Sequence, residues 1–328
     1  MFDLQQLERA HAIVGAAMPP TPAHTWPLLS RRLEATVVVK HENHTPIGAF
    51  KVRGGLVYVD RMRRERPPTA GLISATRGNH GQSLAFAAGR YGVPVTILVP
   101  RGNSVEKNHA MRAFGARLIE HGEDFQAARE EAGRRSAAEG LEFVPAFHPD
   151  LVLGVATYAL ELLRKVPDLD VLYVPIGQGS GICGCILVRD LLGLRTEIVG
   201  VQSTEAPCYA LSFAAGTLVS TASSNTLADG MATRIPDAEA FEIIRKGAAR
   251  IVQVSDDEIG AAIRILWTDT HNLAEGAGAA ALAAALQEKQ KVRRKRVGLI
   301  LSGGNIDLDM FRRWVMPDAD ARAGKALV

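Results

Sequence analysis

A lysine precedes a helical stretch in the segment Gly48–Gly55, GAFKVRGG. Gly48 frees the backbone, Phe50 offers a flat aromatic face, and Lys51 offers a primary amine at the start of the predicted helix. The positive end of that helix and the charge of nearby Arg53 both favour the neutral, nucleophilic form of an amine. Lys51 is therefore a candidate for covalent chemistry, although most helical lysines are simply solvated side chains.

A second motif, Thr76–Gly81 (TRGNHG), follows an apolar run and opens a helical pattern. A hydroxyl, glycines and free backbone N–H groups at a helix N-terminus form a cradle for an anion, and a carboxylate suits it. Asn79 can donate or accept a hydrogen bond, so it could hold a phenolic oxygen. An ordinary helix cap with a glycine turn is the structural alternative.

The third motif, Ile176–Gly184 (IGQGSGICG), again joins a strand to a helix. Gly177, Gly179 and Gly181 would let the backbone approach a phosphate closely, although close helix–strand packing would also select glycine. The spacing matches neither GxxxxGK[ST] nor GxGxxG. A phosphate here is therefore more typical of a compact cofactor than of a nucleotide.

The fourth motif, Leu301–Asn305 (LSGGN), ends the last apolar run. Ser302 supplies a neutral hydroxyl, which would leave a pyridine nitrogen largely unprotonated, whereas a carboxylate would protonate it. Taken alone, the segment predicts only a glycine turn.

The elements that must position these motifs alternate along the chain. The pattern predicts strands at 37–39, 71–76, 93–100, 116–122, 171–177, 197–203 and 297–302, and helices at 50–64, 78–92, 106–114, 125–139, near 155–166 and from 181, with a helix-rich last third. Such apolar strands predict an α/β fold with parallel sheets covered by helices. Ligands bind such sheets where strands give way to helix N-termini.

Composition excludes several classes of function. The 328 residues are 47% hydrophobic and 22% charged with a net charge of +3, which favours a soluble globular protein and gives no case for nucleic acid. No apolar run reaches the ~18 residues of a membrane span. Cys183, Cys185 and Cys208 are typical of buried thiols in a reducing cytosol, so we expect a cytoplasmic protein.

The order of the four motifs resembles the fold-type II pyridoxal 5′-phosphate (PLP) enzymes over about residues 20 to 310. Within these, the chain is similar to the threonine and serine dehydratases and to serine racemase. The resemblance implies PLP as cofactor, the tryptophan synthase β-like fold with two lobes, and a homodimer. It implies a large PLP-binding domain of residues 1–47 and 151–328, and a small substrate-side domain of residues 48–150.

The resemblance also implies roles for individual residues. Lys51 would form the Schiff base with PLP and act as the proton-transfer base, and Phe50 would flank the pyridine ring. Asn79 would bind the phenolic oxygen, and Ser302 would face the pyridine nitrogen. The other cofactor contacts would be Gly177, Gln178, Gly179, Ser180 and Gly181 at the phosphate, with Gly230 and Glu275 lining the pocket. The substrate carboxylate would lie on Thr76, Arg77, Gly78, Asn79 and His80.

The implied reaction is the loss of water and ammonia from a β-hydroxy amino acid, threonine, serine or a relative, giving a 2-oxo acid. β-Replacement, racemisation, and specificity for 3-hydroxyaspartate or phenylserine are alternatives within the same fold. A non-catalytic PLP-fold protein is a further alternative that the presence of Lys51 disfavours. A nucleotide-binding α/β protein would need a phosphate lysine or an acidic ribose partner, which the sequence lacks.

The chain departs from the family pattern at informative positions. Arg77 stands where the racemase keeps a serine base, and arginine, always protonated, is a poor base. Arg77 either points to solvent or pairs with a nearby acid, or its guanidinium reaches the substrate. In the latter case it binds the α-carboxylate or holds a second carboxylate bidentately, and a second carboxylate would favour 3-hydroxyaspartate over threonine. Gly154–Thr157 replaces a Gly-Gln-Gly-Thr segment near the substrate, which leaves the exact substrate open. Gln202 and Cys208 stand where a divalent cation would need carboxylates, so we predict no metal site.

Overall fold

The computed structural model describes residues 1–316, and its strands form two sheets. The strands are β1 (Ala23–Thr25), β2 (Thr36–His41), β3 (Leu72–Ala75), β4 (Val95–Val99), β5 (Arg117–Glu120), β6 (Glu142–Phe143), β7 (Val171–Pro175), β8 (Glu197–Ser203), β9 (Arg250–Val254) and β10 (Arg296–Leu301). The helices are α1 (Leu4–Gly15), α2 (Pro27–Leu33), α3 (Lys51–Glu65), α4 (Asn79–Gly89), α5 (Val105–Ala113), α6 (Phe125–Glu139), α7 (Pro149–Lys165), α8 (Ser180–Leu191), α9 (Cys208–Ala215), α10 (Ala238–Gly247), α11 (Asp256–Thr270), α12 (Gly276–Gln287), α13 (Lys289–Val292) and α14 (Leu308–Val315). Short 3₁₀ turns lie at Glu42–His44 and Asp229–Met231.

The larger sheet has the strand order β1-β2-β10-β7-β8-β9. β1 runs antiparallel to β2, and the remaining neighbours pair in parallel, with Leu299 opposite both Val39 and Tyr173. Separate clusters of buried apolar side chains cover its two faces, one around α7 and α8 and one around α11 and α12. Burial on both faces explains why these strands are near-continuous apolar runs.

The smaller sheet has the order β5-β4-β3-β6 and is parallel throughout. Its strands come from residues 72–143, whereas those of the larger sheet lie on either side of that segment. We propose the division into 1–47 with 151–328 and 48–150 on this basis. The boundaries stay a prediction. They fall just before α3 and inside α7, and these helices pack so closely that a Cβ at Gly154 would lie 2.2 Å from the Arg53 carbonyl oxygen.

The sequence pattern missed several short elements. Helix α7 begins at Pro149, not near residue 155, because His148 accepts a hydrogen bond from the Asp150 N–H and proline suits the first helical turn. Strands β1, β6 and β9 were not predicted. Strand β1 has three residues and β6 has two, so neither gives a clear pattern. Strand β9 lies at the edge of the larger sheet and carries charged and polar residues. No helix in residues 1–316 combines the length and apolar character needed to cross a bilayer.

Candidate active site

The four motifs meet at one cleft, where strands of both sheets end. The turns that follow β3, β7 and β10 and the N-terminus of α3 all face it. The cleft holds about 920 Å³ of space, part of it open to solvent. Its walls include every candidate site residue: Phe50, Lys51, Thr76, Arg77, Gly78, Asn79, His80, Gly177, Gln178, Gly179, Ser180, Gly181, Gly230, Glu275 and Ser302.

Lys51 is the first residue of α3, and its backbone is fixed on both sides. The Phe50 N–H donates to the Ser302 carbonyl oxygen (3.0 Å), and the Ser83 hydroxyl donates to the Lys51 carbonyl oxygen (2.6 Å). The Lys51 Nζ donates to Ser180 Oγ at 3.3 Å and lies 5.2 Å from the centre of the Phe50 ring. Burial lowers the pKa of Lys51 to about 8, because the ammonium form loses its hydration.

The expected effect of Arg53 on this amine is wrong. The Arg53 guanidinium is buried and donates to Glu42 and Glu161, with distances of 2.7 to 3.0 Å. Lys40 completes this network through Glu161 (2.5 Å). Because Arg53 is neutralised by these carboxylates, burial is the cause of the lowered pKa of Lys51. Arg53 instead ties α3 to the 3₁₀ turn Glu42–His44 and to α7.

The glycine loop after β7 has the form of an anion cradle. Gly179 has φ +100°, a conformation that side chains disfavour, and a Cβ at Gly177 would lie 2.3 Å from the Gly230 carbonyl oxygen. The Cys183 N–H donates to the Gly179 carbonyl oxygen (3.0 Å), so the N–H groups of residues 180–182 precede the helical ladder. This arrangement fits a phosphate, which a helix N-terminus stabilises.

A chain of polar contacts crosses the cleft from Asn79. The Asn79 amide donates to Glu275 Oε1 (2.7 Å), and its oxygen accepts from the Asn305 amide (2.8 Å). Lys107 donates to Asp229 (2.5 Å) and to the second oxygen of Glu275 (3.4 Å). Burial raises the pKa of Glu275 above its usual value, and the Lys107 ammonium opposes that rise. Asn79 keeps one amide hydrogen for a ligand.

Sequence reasoning missed Lys107 and Asp229. Lys107 lies in the charged helix α5, where a lysine gives no local signal, yet its side chain is buried. Asp229 does carry a local signal, because it directly precedes the candidate pocket residue Gly230 in LADGM. A Cβ at Gly78 would lie 2.5 Å from the Lys107 Cδ, so Lys107 also explains that glycine.

The substrate-side turn presents three different environments. Thr76 Oγ1 accepts from the Gly78 N–H (3.0 Å), and Arg77 is exposed at the cleft mouth. His80 is buried and hydrogen-bonds the backbone of Val144, while its Nε2 has no partner among the described residues. Burial, with a smaller effect of Lys51, lowers the pKa of His80 to about 3, so the imidazole is neutral.

Ser302 and Gly230 line the cleft from different elements. Ser302 is buried just after β10, and Gly230 is the exposed residue of the 3₁₀ turn Asp229–Met231, beside Glu275. Within residues 1–316, no three His, Cys, Asp or Glu side chains are arranged to hold a metal ion.

Comparisons with known proteins define the family of this fold and cleft. The family model "Pyridoxal-phosphate dependent enzyme" matches residues 15–303. L-threonine ammonia-lyase of Thermotoga maritima is 33% identical over 95% of this chain and 78% of its own length. L-threo-3-hydroxyaspartate ammonia-lyase of Saccharomyces cerevisiae is 35% identical over 89% of each chain. The structure of maize serine racemase superposes with a TM-score of 0.87 at 26% identity, over 95% of this chain and 96% of that one.

The chain belongs to the family of pyridoxal-phosphate dependent enzymes. Its relatives include ammonia-lyases and serine racemases, and it has their fold-type II architecture. The predicted family, α/β fold class and cofactor are confirmed. The roles of the individual residues stay predictions.

Proposed function

We propose that the chain is a PLP-dependent ammonia-lyase for a β-hydroxy amino acid, with Lys51 as the cofactor-binding lysine and the proton-transfer base. One observation carries this proposal: an amine with a pKa of about 8 lies in the cleft between the glycine loop and Ser302. The ammonia-lyase names of two relatives support the reaction class.

The cleft residues fit PLP at each of its polar groups. The loop Gly177–Gly181 would hold the phosphate, the free amide hydrogen of Asn79 the phenolic oxygen, and Ser302 the pyridine nitrogen. When bound, the cofactor supplies an electron sink for the charge that develops at the substrate α-carbon. The neutral hydroxyl of Ser302 favours an unprotonated nitrogen, which suits β-elimination.

Lys51 and Ser180 supply the proton transfers. In its neutral form, the Lys51 amine can take the α-proton of the substrate. Ser180 Oγ, at 3.3 Å from this amine, is placed to pass a proton towards the departing β-hydroxyl. The substrate carboxylate would lie on the N–H groups of the turn Thr76–His80, where α4 begins.

Racemisation is the second candidate, since serine racemase is among the relatives. It needs a base on the opposite face of the substrate, and the serine of the racemase is replaced by Arg77. Thr76 already accepts a hydrogen bond from Gly78, and a His80 with a pKa of about 3 is a weak base. Elimination is therefore favoured over racemisation.

A product assay tests the proposal. Purified holoenzyme is incubated with L-threonine, L-serine, 3-hydroxyaspartate and phenylserine, and 2-oxo acid, ammonia and D-amino acid are measured. We expect 2-oxo acid and ammonia in equal amounts from at least one substrate. D-amino acid as the main product, or turnover only with an added thiol, would contradict it.

Assembly and location complete the proposal. We expect a homodimer, as the family resemblance implies, which light scattering of the purified protein tests. A cytoplasmic location is favoured by three free, buried cysteines, Cys183, Cys185 and Cys208, and fractionation of the source cells tests it.

A further inference from the structure

A smaller cavity continues the active-site cleft at its mouth. Arg77, Phe125 and Gln178 line both spaces, and the smaller one is also lined by Arg129 and Arg234. These arginines come from three separate segments: the turn before α4, helix α6 and the segment before α10. The cavity therefore brings the turn before α4 together with α6 and the segment before α10 at the mouth of the cleft.

The charges around this cavity do not balance. Its titratable lining groups are three arginines and one acid, Asp124. The Asp124 carboxylate caps α6 by accepting from the Ala127 N–H (2.8 Å). Among residues 1–316, none of the three arginines forms an ion pair, and Arg234 donates only to the Ala222 carbonyl oxygen (3.2 Å). The cavity mouth thus carries a net positive charge.

Other cationic side chains near the cleft are paired with carboxylates. Lys107 is held by Asp229 and Glu275, and Arg53 by Glu42 and Glu161. A phosphate held by the glycine loop Gly177–Gly181 would be stabilised by the N-terminus of α8. The three arginines at the cavity therefore have no acidic partner among the cofactor and core contacts. Arg77 belongs to the turn that would bind the α-carboxylate, and Arg129 and Arg234 line the same cavity.

We propose that Arg77, Arg129 and Arg234 form a subsite for a second anionic group, so that the preferred substrate is a dicarboxylic β-hydroxy amino acid of the 3-hydroxyaspartate class. This inference rests on the proposed ammonia-lyase function. A guanidinium matches a carboxylate with two parallel N–H donors, and several cations raise the local concentration of a substrate that carries a net negative charge. A neutral side chain such as that of threonine would gain nothing from them.

The test compares Arg77→Gln, Arg129→Gln and Arg234→Gln with the control Arg90→Gln. Arg90 is exposed at the far end of α4 and lines none of these spaces. The measured quantity is kcat/KM for 3-hydroxyaspartate divided by that for threonine, at low and high salt. We expect a wild-type preference for the diacid, a fall in this ratio of about tenfold in each cavity variant, and no change in Arg90→Gln.

Two further measurements separate the explanations. Calorimetry should show that succinate or malonate binds the wild-type holoenzyme more tightly than acetate, and that the cavity variants lose this difference. PLP titration should give wild-type affinity in all variants. Weakened PLP binding with equal losses on both substrates would assign the arginines to the cofactor and overturn the inference.

Substrate preference can also overturn it. A wild-type preference for threonine or phenylserine over 3-hydroxyaspartate would show that the cavity does not select a diacid. An unchanged ratio in all three variants would do the same. Absence of 2-oxo acid from every substrate, with dicarboxylate binding retained, would instead refute the ammonia-lyase function and leave the anion subsite standing.

Discussion

The Lys51 Nζ lies 3.3 Å from Ser180 Oγ, which joins the start of α3 to the start of α8. These two helix N-termini come from segments 129 residues apart in the chain. Their contact places the candidate reactive amine beside the candidate phosphate loop. The aldehyde and the phosphate of one small cofactor can therefore be held by neighbouring elements.

Replacing Lys51 by alanine should abolish both the absorbance of the bound cofactor near ~410–420 nm and turnover, because it removes the nucleophile and the base together. Spectra and 2-oxo acid assays measure the two effects. Lys246→Ala, at an exposed lysine paired with Glu242, is the matched control and should retain both. Activity of Lys51→Ala without added amines would refute the assignment.

The lowered pKa of Lys51 predicts how PLP uptake by the apoenzyme depends on pH. The amine reacts in its neutral form, so the rate should rise with pH around a midpoint of about 8 and level off above it. An ordinary lysine would still be gaining reactivity near its pKa of about 10.4. Stopped-flow absorbance measures the rate, with free lysine and PLP as a reference for the ionisations of the cofactor. A rate that keeps rising to pH 10 would show that burial does not lower the pKa.

Arg53→Met should destabilise the fold by about 3–5 kcal/mol, because it leaves the buried Glu42 and the partly buried Glu161 with Lys40 as their one remaining Lys or Arg partner among residues 1–316. Denaturant unfolding measures this loss. The midpoint of PLP uptake should stay near pH 8, since burial and not Arg53 sets the pKa of Lys51. Arg53→Lys, which keeps the charge but loses the bidentate contacts, should be less destabilised. A midpoint shifted towards 10 in Arg53→Met would restore the role expected from the sequence.

Local signals made part of this molecule predictable. Apolar runs located β3, β4, β7, β8 and β10, and the turns after β3, β7 and β10 do line one cleft. Contacts between distant residues had no such signal. Arg53 meets Glu161 across 108 positions and Lys107 meets Glu275 across 168. The sequence does not distinguish a buried, ion-paired arginine from a solvated one, because the partners become adjacent only in the folded chain. The expected effect of Arg53 on the pKa of Lys51 was wrong for this reason.

Ser302→Asp should protonate the pyridine nitrogen of bound PLP and strengthen the electron sink, which slows clean β-elimination or favours side reactions. The neutral hydroxyl of Ser302 is buried in the cleft wall. A carboxylate at this position would therefore face the bound cofactor and would be shielded from solvent. The absorbance spectrum and the ratio of 2-oxo acid to other products are the readouts. Ser302→Ala, which adds no charge, is the control. An unchanged spectrum and product ratio in Ser302→Asp would count against Ser302 as the partner of the nitrogen.

Arg77→Ser should raise D-serine formation from L-serine, because it returns a hydroxyl to the position where the racemase keeps its second base. General acid–base groups contribute about 10²–10⁴-fold, and an unoptimised hydroxyl should supply roughly tenfold of that. Chiral chromatography of the amino acid pool measures the gain against wild type.

Arg77→Ala separates the hydroxyl from the mere loss of the guanidinium. If both variants form D-serine equally, removal of Arg77 opens the cleft to solvent and no new base is involved. If Arg77→Ser alone gains, the residue at 77 decides between elimination and racemisation on this scaffold. If neither variant forms more D-serine, the opposite face of the substrate lacks more than one catalytic group. Arg77 alone then does not account for the expected absence of racemisation.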